Sequence, residues 1–200
     1  MVRSFVTPML QRCFLMTSSR KIFGVGLNDA VYPIREGKCV DDKVVYQWVC
    51  PFYQTWVNML SRCYSSSQKI LTPTYSGVTV CEDWKTFTKF KSWMELQNWE
   101  GRQLDKDLFG DGTHYSPETC CFLSQQMNLL VKDYHNGKGV SKYKNTEKWR
   151  AYCQNKHLGI YETKEEALVV AKTARQKFYL AKLAEVDEPD FIKNKFMSKL

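Results

Sequence analysis

The chain has 200 residues and a mass of 23.5 kDa, enough for one large domain or two small ones. Hydrophobic residues make up 44% and charged residues 25%, which excludes wholesale disorder, and no stretch reaches the roughly 20 consecutive apolar residues of a membrane-spanning helix. The 29 lysine and arginine residues against 21 acidic residues give a net charge of +8, so we expect a polyanionic partner, nucleic acid before anionic lipid.

The first segment, residues 1–22, is basic and contains no acidic residue. Its cations are scattered among apolar, serine and threonine residues: Arg3, Arg12, Arg20 and Lys21. This composition favours a flexible basic extension. A mitochondrial transit peptide has the same composition and stays as the alternative.

Residues 23–134 form the first predicted unit, in which short strands alternate with amphipathic helices. Pro51 opens one helix, because the N–H that proline lacks has no partner in a first turn. Asp83 is expected to cap a second helix, and Ser124 a third. The remaining predicted segments are strands at 43–49, 103–105 and 119–123 and a short helix at 125–131.

Residues 135–186 form the second predicted unit. Three strand-length segments, 139–143, 148–153 and 157–161, precede a helix that starts at the capping box of Thr163 and Glu166 and runs to about residue 184. Three strands covered by one helix make a complete small module, so the expected fold class is α+β with two units. Residues 187–200, interrupted by Pro189, are predicted to be a tail.

The eight cysteines favour a reduced protein in a cytoplasmic compartment. None belongs to a C-x-x-C pair, the commonest zinc motif, so no zinc site is expected. The chain is also long enough to fold without disulfides, and we expect most of the thiols to be buried.

A carboxylate and an amide in the first unit are candidates for a shared cation. Asp105 ends one predicted strand, and Asn128 lies on the helix after the next. Hard divalent cations bind such oxygens and stabilise charge on a scissile phosphate, as in compact metal nucleases. The alternative is a solvated acidic loop with a buried helix asparagine.

A basic and aromatic segment in the second unit is the other candidate site. Residues 138–156 carry six lysine or arginine residues and one acidic residue, interleaved with Tyr143, Trp149 and Tyr152. Strand alternation places Trp149 and Arg150 on opposite faces of the sheet. Arg150 is expected to meet DNA. For Trp149, contact with DNA and packing under the helix both stay open, and the lysines could merely solvate an edge.

Several segments, in order, resemble phage-borne HNH-type homing endonucleases whose C-terminal module is of the plant Apetala-two/ethylene-response-factor type. The resemblance covers roughly residues 23–184. In the first unit it is carried by 56–63, 75–84, 87–90, 104–107, 115–120 and Asn128, and in the second by 139–141, 148–151, 157–159 and 165–167.

The resemblance implies an HNH-like ββα-metal finger with flanking helices, followed by a three-stranded antiparallel sheet packed on one helix. It implies one Mg²⁺ or Mn²⁺ ion held by Asp105 and Asn128. Lys106 stands where these nucleases usually have the histidine that deprotonates water, and an ordinary lysine is protonated at neutral pH. His114 could replace that base, or Asp107 could recruit the water; otherwise catalysis is lost.

The resemblance also implies that the sheet of the second unit contacts double-stranded DNA. The residues carried over by position are Lys142, Lys144, Lys148, Trp149 and Arg150. The function expected first is sequence-directed DNA binding with metal-dependent cleavage or nicking. The alternatives are a decayed nuclease that binds DNA as a regulator or inhibits a host protein, and a protein–protein adaptor. No membrane partner is expected.

Overall fold

The structure, a computed structural model, describes residues 21–40, 43–136 and 139–200. Within these ranges the chain is α+β, with helices separated by short strands in four small sheets. No helix in the described ranges is both long and apolar enough to cross a membrane. Of the predicted basic extension, residues 1–20 lie outside the described part of the chain.

The N-terminal unit starts with a hairpin that leads into helices. Strand β1 (Arg35–Val40) pairs antiparallel with β2 (Lys43–Val49), as predicted for the second strand. Helix α1 (Pro51–Tyr64) begins at Pro51 as expected, and α2 (Ser66–Leu71) follows with Ser65 as its cap. Helix α1 buries one face, formed by Tyr53, Trp56, Met59, Leu60 and Cys63.

The helix predicted at Asp83 begins later than expected. Residues Asp83–Lys85 form one 3-10 turn, and helix α3 spans Phe87–Met94. Thr86 is extended because Leu27 and Thr86 form a β-bridge, which interrupts the helix. The predicted cap is therefore wrong: the Asp83 carboxylate pairs with Lys89 instead. Four aromatic side chains are buried in the core of this unit, namely Trp56, Trp84, Phe87 and Phe90.

A strand–strand–helix unit follows. Strand β3 (Thr79–Val80) pairs parallel with β5 (His114–Tyr115), and β4 (Gln103–Asp105) pairs antiparallel with β6 (Cys121–Leu123). Helix α4 (Gln125–Asn136) comes directly after β6, and the Ser124 hydroxyl accepts the Met127 N–H at 3.2 Å. The predicted cap at Ser124 is thus confirmed.

The three predicted C-terminal strands are present and make one antiparallel sheet in the order β7-β8-β9. They are β7 (Val140–Lys142), β8 (Trp149–Cys153) and β9 (Lys156–Tyr161). Helix α5 (Lys164–Glu185) covers one face through Ala167 and Ala171, which pack on Ala151. The capping box of Thr163 and Glu166 is formed with both hydrogen bonds.

Helix α5 continues past the sheet into a second core that it shares with the first unit. Tyr179 and Leu183 pack there with Leu108, Leu123 and Met127. The segment predicted to be a tail joins this core as helix α6 (Asp190–Met197). It is helical because Ile192 and Phe196, four residues apart, present one apolar face to be buried. The chain is therefore more integrated than two separate units and a tail.

The described cysteines are free thiols. Five are buried, as expected, while Cys81 is partly exposed and Cys39 is exposed. Burial raises the pKa of the Cys63 thiol to about 11 and that of Cys120 to about 12, so both are protonated and unreactive at neutral pH.

Candidate nucleic-acid interface and cation site

Asp105 holds the turn that follows β4. Its carboxylate is buried, and Oδ1 accepts the N–H groups of Asp107 at 3.0 Å and Leu108 at 2.8 Å. Burial raises the pKa of the Asp105 carboxyl because it disfavours the charged form, and the charge of Asp107 adds to this. The two backbone hydrogen bonds and the nearby Lys106 oppose the shift without cancelling it.

Lys106, the residue at the expected histidine position, is a buried cation with fixed partners. Its ammonium lies 2.7 Å from Asp107 Oδ1 and stacks over the rings of Tyr75 and Tyr115, 5.0 and 5.8 Å from their centroids. A carboxylate and two ring faces stabilise an ammonium group. Lys106 therefore fits a structural ion pair better than a general base.

Gly112 makes room for the ion pair of Lys106 and Asp107. It has a φ of +83°, and a Cβ at this position would lie 2.7 Å from Asp107 Oδ1. The loop between β4 and β5 is therefore shaped around the Asp107 carboxylate. One oxygen of the Asp107 carboxylate is thus held by Lys106.

His114, the other candidate base, points to a different partner. Its Nδ1 lies 2.7 Å from the hydroxyl of Thr79 on the neighbouring strand β3. Its charged neighbours are Asp111 and Glu118. Within the described part of the chain, none of its contacts involves Asp105 or Lys106, so the structure does not bring this histidine to the candidate metal ligands.

Asn128 reaches β4, but through a residue that the sequence analysis did not name. Its Nδ2 donates to Gln103 Oε1 at 2.5 Å. Gln103 and Asp105 share one face of β4 because side chains two residues apart point the same way. That alternation is the signal that could have identified Gln103. The amide of Asn128 is thus engaged by Gln103.

The arrangement around Asp105 does not fit a Mg²⁺ or Mn²⁺ ion. One carboxylate oxygen of Asp105 is already hydrogen-bonded twice, and the neighbouring Asp107 is paired with Lys106. A second ammonium, that of Lys199, donates to the carbonyls of Asp107 at 2.9 Å and Gly110 at 3.3 Å. Divalent sites need several unpaired oxygen ligands, whereas here two cations already neutralise the loop.

The raised pKa of Asp105 predicts how the stability of the fold depends on pH. The folded protein holds this proton more firmly than the unfolded chain does, so the stability that Asp105 contributes falls as the pH rises above its ordinary pKa of 3.8. Asparagine keeps an oxygen for the two N–H groups without the charge. We expect Asp105→Asn to increase the free energy of unfolding at pH 7, and the gain to vanish as the pH falls below 3.8.

Urea unfolding at pH 7 and at a pH below 3.8 measures the difference in free energy of unfolding between Asp105→Asn and the wild type. Asp111→Asn is the matched control, because hydrogen bonds from Thr113 lower the pKa of the Asp111 carboxyl, so its change should be in the opposite direction. A loss of stability in Asp105→Asn at pH 7 would show that the fold needs the charge of Asp105.

The C-terminal sheet presents one face to α5 and the other to solvent. Trp149 packs with Ala151 on the α5 side, so the structure places it in the core beneath the helix. Lys142 pairs with Trp149 across the strands, and its ammonium lies 5.4 Å from the Trp149 ring. Arg150 is exposed on the opposite face, as alternation predicts.

The solvent-facing side of the sheet, formed by Ser141, Arg150, Tyr152, His157 and Ile160, contains a shallow depression. Its volume is about 200 Å³, and it is lined by Arg150, Tyr152 and His157 together with Gln154 and Asn155 of the β8–β9 turn. The Arg150 guanidinium lies 5.9 Å from the Tyr152 ring centroid. The sequence analysis named only Arg150 from this group as a contact.

The β8–β9 turn at the edge of the depression is held by hydrogen bonds to two helices. Gln154 has a φ of +53° at the turn, and its amide donates to Asp133 of α4. The same carboxylate oxygen accepts the Tyr179 hydroxyl of α5 at 2.6 Å. The turn is thereby tied to both helices, so the polar groups around Arg150 are held in a fixed arrangement.

The remaining predicted contact residues lie at one end of the sheet. Lys144 is exposed in the β7–β8 turn, while Lys148 pairs with Glu162 at 2.6 Å. Lys142 pairs with Glu147 at 2.6 Å, which lowers the pKa of the Glu147 carboxyl. These exposed pairs contribute little stability, so a phosphate could replace Glu162 at Lys148. Lys142 lies beside Trp149 on the α5 side, so the structure does not place this predicted contact on the solvent-facing side.

Comparisons of the chain with known protein families, with curated proteins and with solved structures find no match.

Proposed function

We propose that this protein binds double-stranded DNA through the solvent-facing side of its C-terminal sheet. The observation that carries the proposal is the depression at Arg150, which gathers five side chains able to hydrogen-bond with base edges or phosphates. In the major groove, arginine makes paired hydrogen bonds to guanine, and glutamine or asparagine makes paired hydrogen bonds to adenine. The net charge of +8 supports a polyanionic partner in general.

The size of the sheet suits this docking. Three strands spaced by about 4.8 Å are about 10 Å across, and the major groove of B-DNA is about 12 Å wide. The exposed Lys144 and the solvent-side Lys148 flank the strands, where they would reach phosphates and position the sheet. Trp149 supports the sheet from its other side, and its packing against α5 leaves Arg150 as the central contact.

The strand–strand–helix unit is, on this proposal, an HNH-like finger that serves as a scaffold. Its loop is held by the Lys106–Asp107 ion pair and by the hydrogen bonds to Asp105. The seven free thiols of the described chain suit a reducing compartment, which we propose to be the cytoplasm.

Metal-dependent cleavage is the second candidate, favoured by the packing of α4 across β4, which brings Asn128 to the strand that carries Asp105. Plasmid nicking in Mg²⁺ or Mn²⁺ tests it, with Asp105→Ala as the control. We expect no nicking above that control, because Lys106 and Asp107 are paired with each other. Nicking by the wild type that is lost in Asp105→Ala would support the nuclease function instead.

Arg150→Ala tests the proposed interface directly. On the duplex that the protein binds most tightly, we expect a loss of about 1–3 kcal/mol in binding free energy, and a much smaller loss on random DNA. Fluorescence anisotropy titrations measure both. Lys172→Ala, which removes an exposed cation from α5 on the other side of the sheet, is the control and should change little. Equal effects of the two variants would favour a protein partner for this face, as in an adaptor or an inhibitor of a host protein.

A further inference from the structure

We propose that the ammonium group of Lys199 serves as a built-in cation of the strand–strand–helix unit, in the place where the HNH resemblance implies a divalent metal ion. Its ligands are the carbonyl oxygens of Asp107 and Gly110, at 2.9 and 3.3 Å. Backbone carbonyls of a loop are oxygen ligands that cations use in proteins. The loop that follows β4 is therefore closed by a group of the same chain.

The charges around Lys199 support this role. The carboxylates of Asp105 and Asp107 attract its ammonium, and Lys195 is the cation that opposes them. Partial burial lowers the pKa of the Lys199 ammonium, the largest effect on it, followed by Lys195. The Lys199 ammonium is thus attracted by Asp105, the predicted metal-ligating carboxylate, and by Asp107, at some cost in desolvation.

Packing of helix α6 and a hydrogen bond to the Lys199 carbonyl hold the backbone of Lys199 near the loop after β4. Helix α6 is anchored in the second core by the buried Ile192 and Phe196. The Tyr134 hydroxyl of α4 donates to the carbonyl oxygen of Lys199. The backbone of Lys199 is therefore positioned independently of the two hydrogen bonds that its ammonium makes.

Because the Lys199 ammonium already supplies a positive charge at the loop after β4, divalent cations should neither stabilise the wild-type protein nor bind tightly at this loop. Lys199→Met removes the charge and keeps most of the aliphatic chain. In EDTA we expect its Tm to be about 3–10 °C below that of the wild type, because two hydrogen bonds from a charged donor are lost. Adding MgCl₂ should recover part of this loss in the variant and leave the wild type unchanged at matched ionic strength.

Binding of Mn²⁺, followed by electron paramagnetic resonance, gives a second readout that does not depend on the size of the Tm change. We expect about tenfold tighter binding in Lys199→Met than in the wild type, because one repelling charge is removed. Lys164→Met, which removes an exposed cation at the start of α5 beside the Trp149 ring, is the matched control and should bind Mn²⁺ like the wild type. Lys199→Arg, which keeps the charge, should also remain insensitive to MgCl₂.

Two results would overturn the proposal. The first is a wild-type protein whose Tm rises in MgCl₂ as much as that of Lys199→Met. The second is equal Mn²⁺ affinity in the wild type and Lys199→Met, because the ammonium would then not compete with a metal ion for the loop.

Discussion

Glu188→Ala is expected to lower the free energy of unfolding by about 3–5 kcal/mol, because it breaks a buried ion pair and leaves one partner uncompensated. The Glu188 side chain is 0% exposed, and its Oε2 lies 2.5 Å from Arg102 Nη1. Its other oxygen accepts the Ser124 N–H at 2.6 Å, at the start of α4. One carboxylate thus joins the segment before α6 to the start of β4 and the end of β6, which lie side by side in the sheet.

Urea unfolding of Glu188→Ala and Glu185→Ala measures this effect against a matched substitution. Glu185 pairs with Lys182 at 2.7 Å, but its side chain is 63% exposed, so its removal should cost less than about 1 kcal/mol. Similar small effects of both substitutions would contradict the close attachment of the last helix to the first unit. The result also bears on Lys199, which depends on the same attachment for its position.

Local signals predicted the C-terminal sheet and its helix well. The capping box at Thr163 fixes where α5 starts, since both of its hydrogen bonds are between neighbours in the chain. Alternation correctly placed Arg150 and Trp149 on opposite faces, because it depends only on strand geometry. The place of Gln154 was missed, because the turn and a register shift after Ala151 decide which side chains surround the depression.

Long-range packing explains what the sequence analysis missed. Nothing near Lys199 in the sequence indicates that its ammonium lies at the loop after β4, 89 and 92 residues away along the chain. The helix at Asp83 was predicted too early because the bridge between Leu27 and Thr86 is non-local. Residues 187–200 were read as a tail because Pro189 interrupts them, yet this proline precedes the first residue of α6.

The metal site at Asp105 and Asn128 stays a prediction. The sequence correctly indicated that α4 would pack against β4. The two elements are joined by the hydrogen bond between Asn128 and Gln103. The local hydrogen bonds of Asp105 could have been expected, because aspartate side chains commonly accept N–H groups two or three residues further along the chain.

The largest expected effect on binding comes from removing three cations of the proposed DNA face together. Lys144, Lys148 and Arg150 are all exposed. With Lys144 and Lys148 on phosphates and Arg150 on a base edge, the triple alanine variant should flatten the slope of log affinity against log salt by roughly 2 units, because each neutralised phosphate contributes about 0.9. The control replaces three lysines of α5, Lys172, Lys177 and Lys182, and changes the net charge equally.

The salt dependence of duplex affinity, measured by anisotropy for the wild type and both triple variants, is therefore the most direct test of the DNA-binding face. The proposed docking predicts a slope flattened by roughly 2 units in the sheet variant and an unchanged slope in the α5 variant. Equal slopes in all three proteins, or a flattened slope only in the α5 variant, would contradict the assignment of DNA to the solvent-facing side of the sheet.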